Sequence, residues 1–144
     1  MANQSDPQAE QWVKEAATVA VVGMQDEAHS DRAAFRIPQM LQERGLKLYP
    51  VNPKIQSSLG EKALPDLKSL PVKVDILDVF RRSEAVPELV EEILALPEDR
   101  RPRGVWLQSG ITHPDAEARL EAAGLKVVSD ACLGVFAARV RPRA

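Results

Sequence analysis

Residues 18–23 read Thr-Val-Ala-Val-Val-Gly, an unbroken apolar run that stops at a glycine. A strand buried on both faces has this aliphatic and β-branched composition, because neither side of it meets water. Before this run, apolar residues recur at helical spacing from Ala9 to Ala17, behind Pro7 and a helix cap at Ser5 or Asp6. The pattern therefore predicts a short amphipathic helix followed by a buried strand.

Strands and helices alternate along the rest of the chain. Further strands are predicted at residues 46–51, 74–79, 104–107 and 125–128. A helix is predicted at residues 37–44, with Pro38 in its first turn. Another helix begins after a cap at Ser83, and a further one runs from a capping box at Thr112 to Ala123. Residues 55–70 are irregular, with one helical turn near Asp66, and residues 133–144 receive no element.

This alternation predicts the fold class. Each crossover helix returns the chain to the same end of the sheet, so the strands must run parallel. We expect an α/β, three-layer Rossmann-like fold with a doubly wound, five-stranded parallel sheet in the order 3-2-1-4-5. Residues 1–144 are interpreted as one domain, in which residues 1–17 form a helix on the sheet and residues 133–144 a tail.

Composition and charge exclude several function classes. The net charge of −2 over 144 residues lacks the basic excess of nucleic-acid-binding domains. A single cysteine, Cys132, allows no intramolecular disulfide, and with only two histidines the chain contains no zinc motif. No stretch approaches the roughly 20 apolar residues of a membrane span, and residues 1–10 do not resemble a signal peptide. A cytoplasmic protein without metal or membrane attachment is expected.

Several polar and flexible residues come directly after the predicted strands. Ligands of open parallel sheets bind beyond the carboxyl ends of the strands, near the point where strand order reverses. Gly23 could let the backbone approach a phosphate, or could merely end its strand, and the three-glycine dinucleotide fingerprint is absent. The convergence of four strand ends, at residues 23–25, 51–54, 80–82 and 108–111, indicates a binding site more strongly than any single residue.

The end of the second strand narrows the ligand class. NAD-binding domains usually place an acidic residue there to hold the ribose hydroxyls, whereas this chain has Val-Asn-Pro-Lys at residues 51–54. A cation such as Lys54 suits a phosphorylated ribose, as in NADP or coenzyme A (CoA), but it is equally consistent with a solvated surface lysine. Arg81 and Arg82 precede a predicted helix N-terminus, where the helix dipole disfavours cations unless an anion lies nearby.

Six short stretches are distinctive in their order and spacing. They are Ala-Val-Val-Gly at residues 20–23, Tyr-Pro-Val-Asn-Pro at 49–53, Leu-Gly-Glu at 59–61, Val-Phe-Arg-Arg-Ser at 79–83, Trp-Leu-Gln-Ser-Gly-Ile at 106–111 and Ala-Ala-Gly-Leu at 122–125. Together they resemble the CoA-binding-domain family of small bacterial proteins, which is similar to the CoA-binding domain of the succinyl-CoA synthetase alpha subunit. The resemblance extends from about residue 18 to residue 132.

The resemblance implies a set of cofactor-binding residues. The loop after Gly23 would hold the pyrophosphate, residues 51–54 would border the adenosine and its 3′-phosphate, and residues 108–111 would face the pantetheine arm. The implied residues are Gly23, Met24, Gln25, Ser30, Arg32, Val51, Asn52, Pro53, Lys54, Phe80, Arg81, Gln108, Gly110 and Ile111.

The departures from the family limit what the resemblance implies. Gln25 stands where the family often has serine, so that side-chain contact is not carried over. Asp-Ala-Cys at residues 130–132 replaces the usual Asp-Arg-Cys, and the Glu-His that would follow is missing. The synthetase domain that carries the phosphorylated histidine also has no counterpart, so no acyl-phosphate chemistry is implied.

The function expected from the sequence is non-catalytic binding of CoA or an acyl-CoA across the switch between the first and fourth strands. No catalytic constellation is recognisable in the chain. The alternatives are an NADP-dependent oxidoreductase, which the acid-free second strand permits, and a nucleotide-binding regulatory subunit with a protein partner.

Overall fold

A computed structural model describes residues 6–142 as a parallel sheet between two layers of helices. The strands are β1 (Thr18–Val22), β2 (Lys47–Val51), β3 (Ile76–Val79), β4 (Gly104–Leu107) and β5 (Lys126–Val128). The α-helices are α1 (Pro7–Glu15), α2 (Ala33–Glu43), α3 (Val86–Leu94), α4 (Pro114–Ala122) and α5 (Leu133–Val140). Every pairing between these strands is parallel, which confirms the predicted α/β, Rossmann-like class.

The predicted strand order 3-2-1-4-5 is wrong, because the sheet runs β2-β1-β3-β4-β5. The outer edge of β2 is already occupied: Leu64 N donates to Pro50 O, and Asn52 N donates to Leu64 O, both at 2.9 Å. Tyr49 is only half-buried, and a proline within a strand is typical of a sheet edge. By contrast, all four residues of β3 are buried, as a central strand requires.

Helix α2 begins four residues before the predicted start at Ile37. Pro38 therefore lies inside the helix, where it has no N–H to donate to the carbonyl of Ala34. The backbone N–H of Gln25 donates to that carbonyl instead, at 3.0 Å. A loop outside the helix thus satisfies the acceptor that the proline leaves open, and this makes an interior proline tolerable.

The predicted caps are partly confirmed. Asp6 caps α1 through its side chain, whereas Ser5 lies outside the described residues. Ser83 does not cap α3: it begins the short 3₁₀ turn Ser83–Ala85, and its hydroxyl accepts a hydrogen bond from Thr112 N at 3.1 Å. The cap of α4 is His113 rather than Thr112. The hydrogen bond between Ser83 and Thr112 ties the loop after β3 to the loop after β4.

The region between β2 and β3 contains the predicted helical turn, Leu67–Ser69, with Asp66 as its cap. It also contains a small antiparallel hairpin, Ser57–Ser58 with Glu61–Lys62, that the sequence pattern did not predict. This hairpin packs beside the loop that follows β1, as described below.

Each face of the sheet carries its own core. Helices α3 and α4 pack on one face, and α1, α2 and α5 pack on the other. The second core is built around Trp106, whose ring lies 4.9 Å from that of Phe136 and 5.8 Å from that of Trp12. Helix α5, in the region left without an element, closes this face. None of the helices within residues 6–142 is long and apolar enough to cross a membrane.

Candidate functional site at the carboxyl edge of the sheet

Gly23 lies where the order of the strands reverses. Its N–H donates to Val51 O at 3.0 Å, and Phe80 N donates to Val22 O at 2.9 Å, so the ends of β2, β1 and β3 meet here. The φ angle of Gly23 is +82°, and a Cβ at this position would lie 2.4 Å from Phe80 O. Only glycine fits this position. The switch point therefore lies between β1 and β3, not between the first and fourth strands as predicted.

The loop after Gly23 is held by hydrogen bonds from two neighbouring segments. The side-chain amide of Asn52 donates to Met24 O at 2.9 Å, and the hydroxyl of Ser58 donates to Gln25 O at 2.7 Å. With the bond from Gln25 N to Ala34 O, these contacts fix the loop backbone before any ligand arrives. The hairpin and the end of β2 therefore preorganise the loop that was predicted to hold a pyrophosphate.

The N-terminus of α2 faces the same loop region without a side-chain cap. Its cap residue, Arg32, makes no side-chain hydrogen bond to the helix, and the first turn contains no acidic residue. Helix N-termini present N–H groups and a partial positive charge, both of which favour anions. Ser30 and Arg32 are exposed just before this end, consistent with their predicted position near a phosphate.

A cleft of about 450 Å³ opens between the ends of β3 and β4. It brings together four of the predicted site residues, Phe80, Arg81, Gly110 and Ile111. The loop after β5 supports the cleft, because Asp130 accepts a hydrogen bond from Gly110 N at 2.7 Å.

Some predicted residues point into the protein rather than toward this edge. The side chains of Met24 and Val51 are buried, and that of Asn52 binds the backbone. Gln108 is also buried, and its amide donates to Asp78 Oδ1 at 2.6 Å. The side chains of these four residues support the edge from inside the protein. Direct side-chain contacts to a ligand are therefore left to the remaining predicted site residues.

The arginines of the described chain fall into two groups, those that bind other residues and those that do not, and the two groups lie in different parts of the fold. Of those within residues 6–142, four form no ion pair and no side-chain hydrogen bond with another described residue: Arg32, Arg36, Arg81 and Arg82. All four lie in the segments that follow β1 and β3, on the two sides of the switch point. The remaining described arginines bind carbonyls or carboxylates, for example Arg101, which donates to Leu94 O at 2.9 Å.

Lys54 is a further cation without a partner among the described residues. Its backbone N–H donates to Asn52 Oδ1 at 2.9 Å in a tight turn, which leaves the side chain exposed beside Pro53. Lys54 follows β2 and Arg81 follows β3, so the two residues flank the end of β1. One acidic residue, Glu84, lines the cleft together with Arg81 and Arg82.

A larger groove lies elsewhere. It measures about 620 Å³, runs between α1 and the edge strand β5, and includes none of the predicted site residues. Within residues 6–142 no three His, Cys, Asp or Glu side chains are grouped so that they could hold a metal ion.

A family model described as a CoA binding domain matches residues 17–138. The chain belongs to this family. The uncharacterized protein YneT of Bacillus subtilis is 35% identical over 135 residues, which cover 94% of this chain and 96% of YneT. The match confirms the family suggested by the six sequence stretches.

Solved structures of other proteins share the fold. A Thermus thermophilus protein, cell-free ID.343, is 41% identical with a TM-score of 0.83, and the match covers 92% of this chain and 96% of that protein. A dinucleotide-forming acetyl-coenzyme A synthetase from Ca. Korarchaeum cryptofilum has a TM-score of 0.64 at 20% identity, over 79% of this chain and 26% of the synthetase. This second match shows a likeness of fold alone.

Sequence reasoning missed three contributors to the edge. Arg36 was not among the predicted site residues; it lies in the first turn of α2, which was predicted to begin at Ile37. Ser58 gave no signal, because its contact depends on an unpredicted hairpin. Asp78 did give a signal, since an acidic residue is unusual in a strand predicted to be buried, yet it was assigned only to the strand.

Proposed function

We propose that this protein binds CoA or an acyl-CoA at the carboxyl edge of the sheet and catalyses no reaction on it. The observation that carries the proposal is the position of the four unpaired arginines, which all lie on the two sides of the switch point. Unpaired cations beside an uncapped helix N-terminus favour a ligand with several phosphates, and CoA carries a pyrophosphate and a 3′-phosphate. Membership of the CoA-binding-domain family supports CoA among such ligands.

Each part of the edge would take one part of the ligand. The preorganised loop at Met24 and Gln25 and the N-terminus of α2 would receive the pyrophosphate. Lys54, on the β2 side, would pair with the 3′-phosphate, and the cleft beside Phe80 and Ile111 would receive the pantetheine arm. No described residue in this arrangement stands out as a nucleophile or general base, which supports binding without turnover.

Calorimetry with matched ligands tests this proposal. CoA is expected to bind with micromolar or better affinity, and dephospho-CoA about tenfold more weakly, since one charge-assisted contact is worth about 1.5–3 kcal/mol. Lys54→Met should remove most of that difference. Lys68→Met, which removes an exposed lysine from the Leu67–Ser69 turn, is the control and should not change it.

Each alternative has a distinct outcome in the same experiment. Equal affinity for CoA and dephospho-CoA would exclude the role of Lys54, and no binding of either would overturn the proposal. Tighter binding of NADPH than of CoA would favour the oxidoreductase. Release of free thiol from acetyl-CoA, dependent on the protein, would show that the site is catalytic.

A further inference from the structure

Asp78 and Gln108 form a buried polar pair below the carboxyl edge. Asp78 lies within β3 and is 0% exposed, and Gln108 follows β4 and is 4% exposed. One hydrogen bond joins them, from Gln108 Nε2 to Asp78 Oδ1 at 2.6 Å. The other two polar atoms, Asp78 Oδ2 and Gln108 Oε1, have no partner among residues 6–142. Both are acceptors when Asp78 is ionised, so a single proton between them would satisfy both.

The surroundings of Asp78 disfavour a charge. Val21 on β1 and Trp106 on β4 are its neighbours across the sheet, and neither strand contains a titratable residue. The helices packed on this face carry their titratable side chains at exposed or half-exposed positions: Glu10, Lys14 and Glu15 on α1, Arg36 and Glu43 on α2, and Arg139 on α5, with Cys132, Arg44 and Arg141 half-buried at the helix ends. Burial raises the pKa of Asp78 to about 8, against hydrogen bonds from Gln108 and the backbone that lower it.

We infer that Asp78 keeps its proton at neutral pH and donates it from Oδ2 to Gln108 Oε1, so that the acid and the amide form a reciprocal pair. Two hydrogen bonds then join the ends of β3 and β4. The cleft residues Phe80 and Arg81 follow Asp78 closely, and Gly110 follows Gln108, so the pair sets the spacing of the two cleft walls. Asp78 acts as a positioning residue, and its ionisation replaces one of the two bonds with a repulsive contact between acceptors. The effect on the ligand rests on the proposed CoA binding, whereas the protonation itself does not.

The protonation is tested on the ligand-free protein. With ¹³C-labelled aspartate carboxyl groups, one resonance should titrate near pH 8 between about pH 5 and about pH 10. It should be absent from Asp78→Asn and present in Asp99→Asn, an exposed control in the Glu98–Arg100 turn. If the resonance lost in Asp78→Asn titrates below about pH 5, the inference is wrong. Infrared spectroscopy of the unmodified protein gives an independent readout, a protonated-carboxyl band at neutral pH that disappears at high pH.

The positioning role is tested by CoA affinity at two pH values. Asparagine at position 78 can exchange the same two bonds with Gln108 but cannot ionise, so Asp78→Asn is the conservative rescue. From about pH 7 to about pH 9.5, the affinity of the unmodified protein should fall about fivefold more than that of Asp78→Asn, the equivalent of one hydrogen bond. Because both proteins meet the same ligand, ionisation of CoA itself cancels. Equal falls would overturn the positioning role, whereas failure of both proteins to bind CoA would overturn the proposed function and leave the titration result standing.

Discussion

Replacing Gly23 with alanine tests the geometry of the switch point directly. Alanine at a φ of +82° costs about 1–2 kcal/mol in any surroundings, because its Cβ crowds the following carbonyl. At Gly23 the new Cβ would also lie 2.4 Å from Phe80 O, so the ends of β1 and β3 would have to separate. Overpacking of this kind costs about 1–3 kcal/mol more. We therefore expect a total loss of about 2–5 kcal/mol in the free energy of unfolding.

Gly124→Ala is the matched control for this substitution. Gly124 has a φ of +88° but nothing within 4 Å of its Cβ position, so it should lose only about 1–2 kcal/mol. The entropy that alanine removes from the unfolded chain is common to both variants and cancels. Urea unfolding followed by circular dichroism gives the two values. If they agree within about 0.5 kcal/mol, the contact between Gly23 and Phe80 O is wrong and the switch point is not this tightly packed.

Three further substitutions probe charge and loop order. Asp75→Asn should destabilise the protein by about 1–3 kcal/mol near neutral pH and by less near pH 3. Burial acts to raise the pKa of Asp75, but the hydrogen bonds that it accepts and the Arg103 guanidinium lower this pKa more. The ionised carboxylate therefore stabilises the native protein, and this stabilisation is lost as pH falls. An equal destabilisation by Asp75→Asn at both pH values would contradict this reasoning. Asp78→Asn should behave oppositely. The raised pKa of Asp78 makes the native protein less stable as pH rises, so in urea titrations the stability of the variant relative to the unmodified protein should increase by about 4 kcal/mol between about pH 5 and about pH 8, three pH units at about 1.4 kcal/mol each. Asn52→Ala removes the donor to Met24 O and should speed hydrogen exchange in the loop after β1, while unchanged exchange would show that the loop is held without it.

The sequence predicted those features that depend on local pattern. The buried run of β1, the alternation of elements and the parallel sheet all follow from apolar periodicity, and the structure confirms them. Strand order depends instead on which edge is already occupied. Pro50 is a residue typical of an edge strand, but the sequence analysis placed this strand inside the sheet, and the bridge between Val51 and Leu64, which closes that edge, is a contact that periodicity does not encode.

The candidate site shows the same division. Residues at strand ends were predicted to lie at one edge of the sheet, and the structure places them there because parallel strands end together. Which side chains point outward was not predictable. In sequence, Gln108 and Asn52 cannot be told apart from amides that bind a ligand, yet in the structure they donate to Asp78 and to the backbone of Met24. The early start of α2 was missed for a related reason: Pro38 is tolerated only because Gln25, on another segment, binds the carbonyl it leaves open.

The segment at Leu64 has a consequence for how this protein meets other molecules. By hydrogen bonding to Pro50 O, it uses main-chain groups along the outer margin of β2 that would otherwise be available to a strand from another chain. At the opposite margin, β5 is only three residues long and begins with the exposed Lys126. Short, charged edge strands discourage edge-to-edge pairing with strands of other molecules. Both margins of the sheet are therefore poor templates for pairing with a strand of a second molecule.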